Sequence, residues 1–213
     1  MSKKEDYIKI ISEDAERRFF VAPVTIEKRE EGDENKPAVI EGIAARFNSR
    51  TKIGNWFEEE ILPGAFDDVL KDDVRCLFNH NPNYVLARSV NGEGTLTLTV
   101  DNEGLKYRYE TPNVSYANDL AENIRLGNVS QSSFAFKAKE VVWRELSEEM
   151  DLRQIVKVEK LYDVSPVTYP AYQDTTVAKR SHDAYVAKTS NNNSEKRKLS
   201  VYEAQVLINK NNS

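Results

Sequence analysis

Cysteine is nearly missing from this chain: Cys76 stands alone among 213 residues, which excludes an internal disulfide and fits a reducing compartment. Histidine is almost as scarce, so histidine-based chemistry has two candidates, His80 and His182. No apolar run approaches the roughly 18 residues of a membrane span, and the opening Met-Ser-Lys-Lys-Glu-Asp lacks the apolar core of a signal peptide. The chain is therefore expected to stay where it is made, off the membrane. Basic charge is not in surplus either. Thirty Lys and Arg against 35 Asp and Glu give a net charge of -5, with no basic face for nucleic acid and no polybasic membrane patch. The length suits one well-filled core plus tails rather than two full-sized domains.

Residues 1–18 are dense in charge, with only a short apolar stretch from Tyr7 to Ile11, and read as a loose lead-in. The core is expected to begin at Phe19 and to run to about residue 180. Aromatic and β-branched residues predict strands over Phe19 to Ile26, Ala38 to Phe47 and Trp56 to Ile61. An acidic loop, Glu30 to Pro37, separates the first two, and Gly42 marks a candidate bulge. A short helix is expected from Ala65 to Leu70, after Pro63-Gly64. In Val74 to His80 a period of two puts Val74, Cys76, Phe78 and His80 on one strand face, with the imidazole ending an apolar row. Leu96, Leu98 and Val100 alternate with threonines, and Leu105, Tyr107 and Tyr109 with Lys106 and Arg108, across the turn Asp101 to Gly104. That pattern predicts an antiparallel hairpin.

The period then changes. Ala117, Leu120, Ala121 and Ile124 fall at helical spacing, with Ser115 placed to cap the start and Gly127 the end. A second long hairpin is expected from Phe134 to Glu145 and Leu152 to Val164, linked by Ser147-Glu148-Glu149. The prolines at 166 and 170 argue for an irregular extended segment after it rather than a central strand. Residues 181–213 read as a polar linker, densest from Thr189 to Lys198, and tail, with a short helix at 200–209 that would form on binding a partner. The sum is a mainly β protein with some α, an α+β chain whose antiparallel strands would close, or nearly close, into a β-barrel wrapped by helices that hide the sheet edges.

Two places can carry chemistry. One is Gly127 to Phe136, where a helix ends and a strand begins around Ser133; the other is His80. A serine needs a base to take its proton and donors to hold the developing oxyanion. Ser130 and Ser132 compete for any role given to Ser133, and the commoner fate of a strand-end histidine is a bond to a turn carbonyl. Cys76 and His80, four residues apart on a strand, would be about 13 Å from each other, so they form neither a Cys-His pair nor half a metal site. No metal or other cofactor is expected.

Three blocks in order change the weighting: Phe78-Asn79-His80-Asn81-Pro82 with Leu86-Ala87-Arg88, then Gly127 to Phe136, then Leu161 to Tyr172. Together with Leu62-Pro63-Gly64-Ala65-Phe66, they make the span from about Val39 to Val177 resemble the prohead proteases of tailed bacteriophages. The resemblance implies the herpesvirus maturational-protease fold, a β-barrel with surrounding helices. It also implies a serine endopeptidase that cuts capsid and scaffold proteins, and itself, inside the immature shell in the bacterial cytoplasm. The family's histidine maps onto His80 and its nucleophilic serine, which precedes a Phe-small-Phe step, onto Ser133. Here Gln131-Ser132 and Ala135 replace the residues more usual around that serine.

For the acid that would orient the imidazole, the resemblance favours Asp163, with Glu159 and Glu140 in reserve. For the oxyanion it points to Arg88 or Arg125. The expected partners are the major capsid protein and the scaffold segment as substrates, with a homo-oligomer left open. A second reading, from another class, is a non-catalytic internal scaffold on the same fold.

Overall fold

The structure is a computed structural model that describes residues 15–20, 24–27, 37–144, 150–169 and 179–190. The expected features at 7–11, 30–36, 147–149, 170–172, 191–198 and 200–209 lie outside the described residues. The chain divides into two compact units, Met1–Val177 and Ala178–Ser213. In the second unit, 179–190 is helical, where a polar linker was expected from residue 181.

The first unit is built on two sheets. The smaller has the order β2 (Val24–Ile26), β3 (Val39–Arg46), β10 (Gly104–Glu110), β9 (Leu96–Val100), and contains the expected hairpin β9–β10. Asp101 Oδ1 fixes its turn by accepting from the N–H groups of Glu103 and Gly104. Gly42 is not a bulge. It pairs with Tyr107, and a Cβ there would lie 2.4 Å from the tyrosine ring, so the glycine makes room for an aromatic side chain lying across β3. The irregularity falls instead at Ala44, which the register skips between Leu105 opposite Ala45 and Lys106 opposite Ile43.

The larger sheet has eight strands, six of them in the order β1 (Glu16–Phe20), β11 (Gln131–Arg144), β12 (Asp151–Val167), β6 (Val74–Leu77), β7 (Val85–Val90), β8 (Glu93–Gly94). Its spine is β12, 17 residues long. It runs antiparallel to β11 throughout and parallel to β5 (Phe57–Ile61) over Asp151–Ile155; β5 in turn pairs with β4 (Thr51–Ile53). Near its other end β12 is parallel to β6 at Asp163 and Val164. Pro166 lies inside β12, contrary to the expectation of an irregular segment. It is tolerated because pairing with β6 ends at Val164, which leaves β11 as its one strand neighbour. Neither pairing path returns to its first strand, so the closed barrel expected from the sequence is not formed by the described strands. The protein is mainly β with few helices.

The two sheets share one hydrophobic cluster, with Ile40, Ala44 and Tyr107 from the smaller and Phe134, Phe136, Leu161 and Val164 from the larger. Helix α1 (Ser115–Arg125) buries Ala117, Leu120, Ala121 and Ile124 in it, the spacing read from sequence. Ser115 does not cap it; the N-cap is Val114, with no side-chain bond. Gly127 does end it, at φ +77°, with its N–H bonded to Ile124 O and the Asn128 N–H to Asn123 O, a Schellman closure. Residues 63–71, expected to hold a helix, are a run of turns closed by i to i−3 bonds such as Ala65 N–H to Leu62 O and Val69 N–H to Phe66 O.

Strand β1 corrects the expected lead-in. Glu16 and Arg18 are buried, because Arg18 bonds both Glu16 and Glu59 while Arg153 bonds the same two carboxylates. Four charges from three distant strands neutralise one another there, a compensation no local reading of Glu16-Arg17-Arg18 can show. Arg18 also lies over the Phe136 ring, 5.6 Å from its centroid.

Candidate active site

The pleat of β11 sends its two adjacent serines to opposite faces. Ser132 faces the core between the sheets, where its Oγ is 2.9 Å from Tyr107 Oη. Ser133 faces the other way, directly across from Ser165 of β12, and Asp163 lies two residues from Ser165 on the same strand. Ser130 is exposed outside the strand. The three serines that competed in the sequence thus have three different environments.

His80 reaches this face by a route the alternation pattern did not show. The chain leaves β6 at Leu77 and makes a 3-10 turn over Phe78–His80, in which Asn79 and His80 both have φ of 54°. Left-handed backbone is costly for a residue with a Cβ, and Asn and His are among those that adopt it most readily. The turn is closed by Phe78 N–H to Tyr84 O and Tyr84 N–H to Asn81 O. It is tied to the end of β12 by Asn79 Oδ1, which accepts from the Thr168 N–H and hydroxyl at 3.0 and 3.3 Å. This Asn-rich loop turns the imidazole back over β12, so His80 meets Ser133 although β6 and β11 are not neighbours.

His80 Nδ1 is 2.5 Å from Asp163 Oδ1, and His80 Nε2 is 2.5 Å from Ser133 Oγ. Ser165 Oγ donates to the same Asp163 oxygen at 2.8 Å and lies 3.3 Å from His80 Nδ1. Ser165 is the residue that sequence reasoning missed. Its signal was the Asp-x-Ser spacing, which on a strand puts both side chains on one face. The group is closed off: Ser133 and Asp163 are 0% exposed and the His80 side chain 6%. Ser133 Oγ has a second partner, donating to the Arg18 carbonyl of β1 at 2.9 Å.

Such a group has the parts of a proton relay. A carboxylate at Nδ1 holds the hydrogen there and leaves Nε2 with a lone pair toward the hydroxyl. Cys76 is buried and its thiol is pushed well up, first by burial and then by the charge of Asp163, which keeps it protonated and inert.

The other sequence candidates lie elsewhere. Arg88, half exposed, grips Asp73 with Nε and Nη2 at 2.7 and 2.9 Å, and the exposed Arg125 bonds Glu122 one turn away on α1. Neither is brought to Ser133 as an oxyanion donor; each has found a surface carboxylate first. Glu159 pairs with Lys137, and Glu140 is exposed on β11. His182 sits on the 179–190 helix. Among the described residues no group of three or more His, Cys, Asp or Glu could hold a metal ion. No described helix is long and apolar enough to cross a membrane.

Comparison with known proteins places the chain in a family. Residues 24–189 match the model of the caudovirus prohead serine proteases, and the chain belongs to that family. It is accordingly a peptidase of the serine type. Among solved structures it is similar to the bacteriophage T4 capsid assembly protease, gp21, at 13% identity and a TM-score of 0.47, over 72% of this chain and 97% of that one. No curated protein matches.

Proposed function

We propose that the chain is the endopeptidase of procapsid maturation, with Ser133 as nucleophile, His80 as general base and Asp163 as the acid that orients it. The observation that carries this is the unbroken run of contacts Asp163–His80–Ser133 inside a chain of the prohead protease family. As Ser133 Oγ attacks a peptide carbonyl, its proton passes to His80 Nε2, and the imidazolium that forms is held against the Asp163 carboxylate. The same proton is then delivered to the leaving amine, and a water activated in turn by His80 releases the acyl group from Ser133. General-base assistance of this kind contributes about 10² to 10⁴ in rate. The substrates are the scaffold segment, the removable part of the capsid protein and the protease itself, met inside the immature shell in the bacterial cytoplasm.

The test is co-expression with the major capsid protein of the same genome, followed by intact-mass measurement. Wild type should yield defined fragments, while Ser133→Ala and His80→Ala should leave the capsid protein whole. Equal fragments from wild type and Ser133→Ala would sink the reading, and a non-catalytic assembly role would take its place.

A further inference from the structure

A nucleophile that is 0% exposed cannot receive a peptide, so something in the described state must move before the chemistry above can start. The element beside the nucleophile is β1. It lies antiparallel along the outer edge of β11 with Phe20 opposite Ser132 and Phe19 opposite Ser133, and it pairs with no other described strand. We propose that β1 is an intramolecular blocking strand: Glu16–Phe20 occupies the β11 edge where a substrate must approach Ser133, and the enzyme becomes active when this strand leaves. The inference rests on Ser133 being the nucleophile.

Three further observations favour a releasable strand over a fixed part of the sheet. First, the Ser133 hydroxyl has one hydrogen and two acceptors, His80 Nε2 at 2.5 Å and Arg18 O at 2.9 Å. While the carbonyl of β1 holds that hydrogen, the base cannot take it. Second, β1 is anchored by charge, through the bonds of Glu16 and Arg18 to Arg153 and Glu59. When it departs, Arg153 and Glu59 keep each other at 2.7 Å, so no lone buried charge is left behind. Arg17 Nε, by contrast, is buried without a partner while β1 is docked, a penalty that release removes. Third, the segment that matches the family begins at residue 24, so β1 precedes it. With β1 gone, the β11 edge offers unpaired N–H and C=O groups beside Ser133.

The test uses the full-length chain and a fluorophosphonate probe that reacts with an activated serine, with Ser133→Ala as the blank. A double variant, Glu16→Gln with Arg18→Gln, neutralises the anchor and leaves Arg153 and Glu59 as a balanced pair. It should label at Ser133 about tenfold faster than wild type or more, as expected for loss of buried charge pairing, with an unchanged circular dichroism spectrum. In the wild type, hydrogen exchange should show the amides of 16–20 losing protection once Ser133 carries the probe, a measurement that decides the matter even if the double variant fails to fold. A folded variant that labels at the wild-type rate, or a β1 that stays protected at full labelling, overturns the blocking role alone. Masses showing a cut between Arg18 and Phe19 in the wild type also overturn it, by making β1 a substrate. Failure of every form to label at Ser133 removes the nucleophile assignment and the inference with it.

Discussion

Asp163→Asn changes one atom in the buried group and tests the acid of the proposed relay. In the proposed reaction His80 takes the Ser133 proton, and a positive ring forms against a carboxylate whose Oδ1 is 2.5 Å from Nδ1. With charge centres about 4 Å apart and an effective dielectric of about 20, that attraction is about 4 kcal/mol, or about a thousandfold in rate. The asparagine variant loses the charge, and the question is whether it also loses the tautomer. Ser165 decides this, because its hydroxyl donates to the same Oδ1 position that accepts from His80. With two donors converging there, the amide oxygen is selected for that position. The NH2 is left at the Oδ2 position, which is buried and has no partner. Asp163→Asn alone should therefore lose about 10³ in the rate of probe labelling at Ser133 and of capsid-protein cleavage. Adding Ser165→Ala lets the amide turn its NH2 toward Nδ1, which forces the hydrogen onto Nε2, where it cannot accept from Ser133. The double variant should fall to about 10⁴ below wild type. A loss of less than about tenfold in Asp163→Asn would show that this carboxylate does not orient the base.

Acid should loosen the β1 anchor. Burial raises the Glu16 carboxyl, but the charge of Arg18 and the hydrogen bond and charge of Arg153 overcome it and hold it at about 2, against 4.5 when free. Its stabilisation, about 3 kcal/mol, is whole above pH 4.5 and is lost as pH falls toward 2. Urea midpoints should then drop more steeply between about pH 5 and pH 3 in wild type than in Glu16→Gln; parallel slopes would refute the anchor. Gly42→Ala should destabilise by about 1–3 kcal/mol, seen as a lower melting temperature. The added Cβ would meet the Tyr107 ring at 2.4 Å, and that ring is buried and its hydroxyl bonded to Ser132. An unchanged melt would mean that the ring can step aside.

What the sequence disclosed was whatever depends on neighbours in the chain. The period of two gave β9 and β10, strand-suited composition gave most of β11 and β12, and the 3.6-residue spacing with Gly127 gave α1 and its end. Ser133 and His80 were candidates by residue type and place in the chain, family resemblance gave them roles and added Asp163, and the structure brings all three together. The parts that escaped depend on partners far away. The charges of Glu16 and Arg18 signalled an exposed lead-in because Glu59 and Arg153 are remote in sequence. Phe78 and His80 continued the alternation on paper, yet Asn79 and the following Asn81-Pro82 break the strand and swing the imidazole round. Pro166 looked like a strand breaker, since nothing local reveals that its strand has lost one neighbour. Arg88 and Arg125 were named from the family resemblance, and each instead sits on a nearby acid.

The alternation of Ser132 and Ser133 has a consequence for which serine faces His80. If β11 slipped by one residue so that Ser132 took the place of Ser133, a serine hydroxyl would still meet His80, so the serine side chain itself scarcely distinguishes the two registers. Phe134 and Phe136, stacked at 4.8 Å and fully buried, do. A slip would turn both rings out of the core, at about 1.5–3 kcal/mol each. The Phe-small-Phe step after the serine thus acts as an address: hydrophobic burial one and three residues downstream decides which oxygen meets His80.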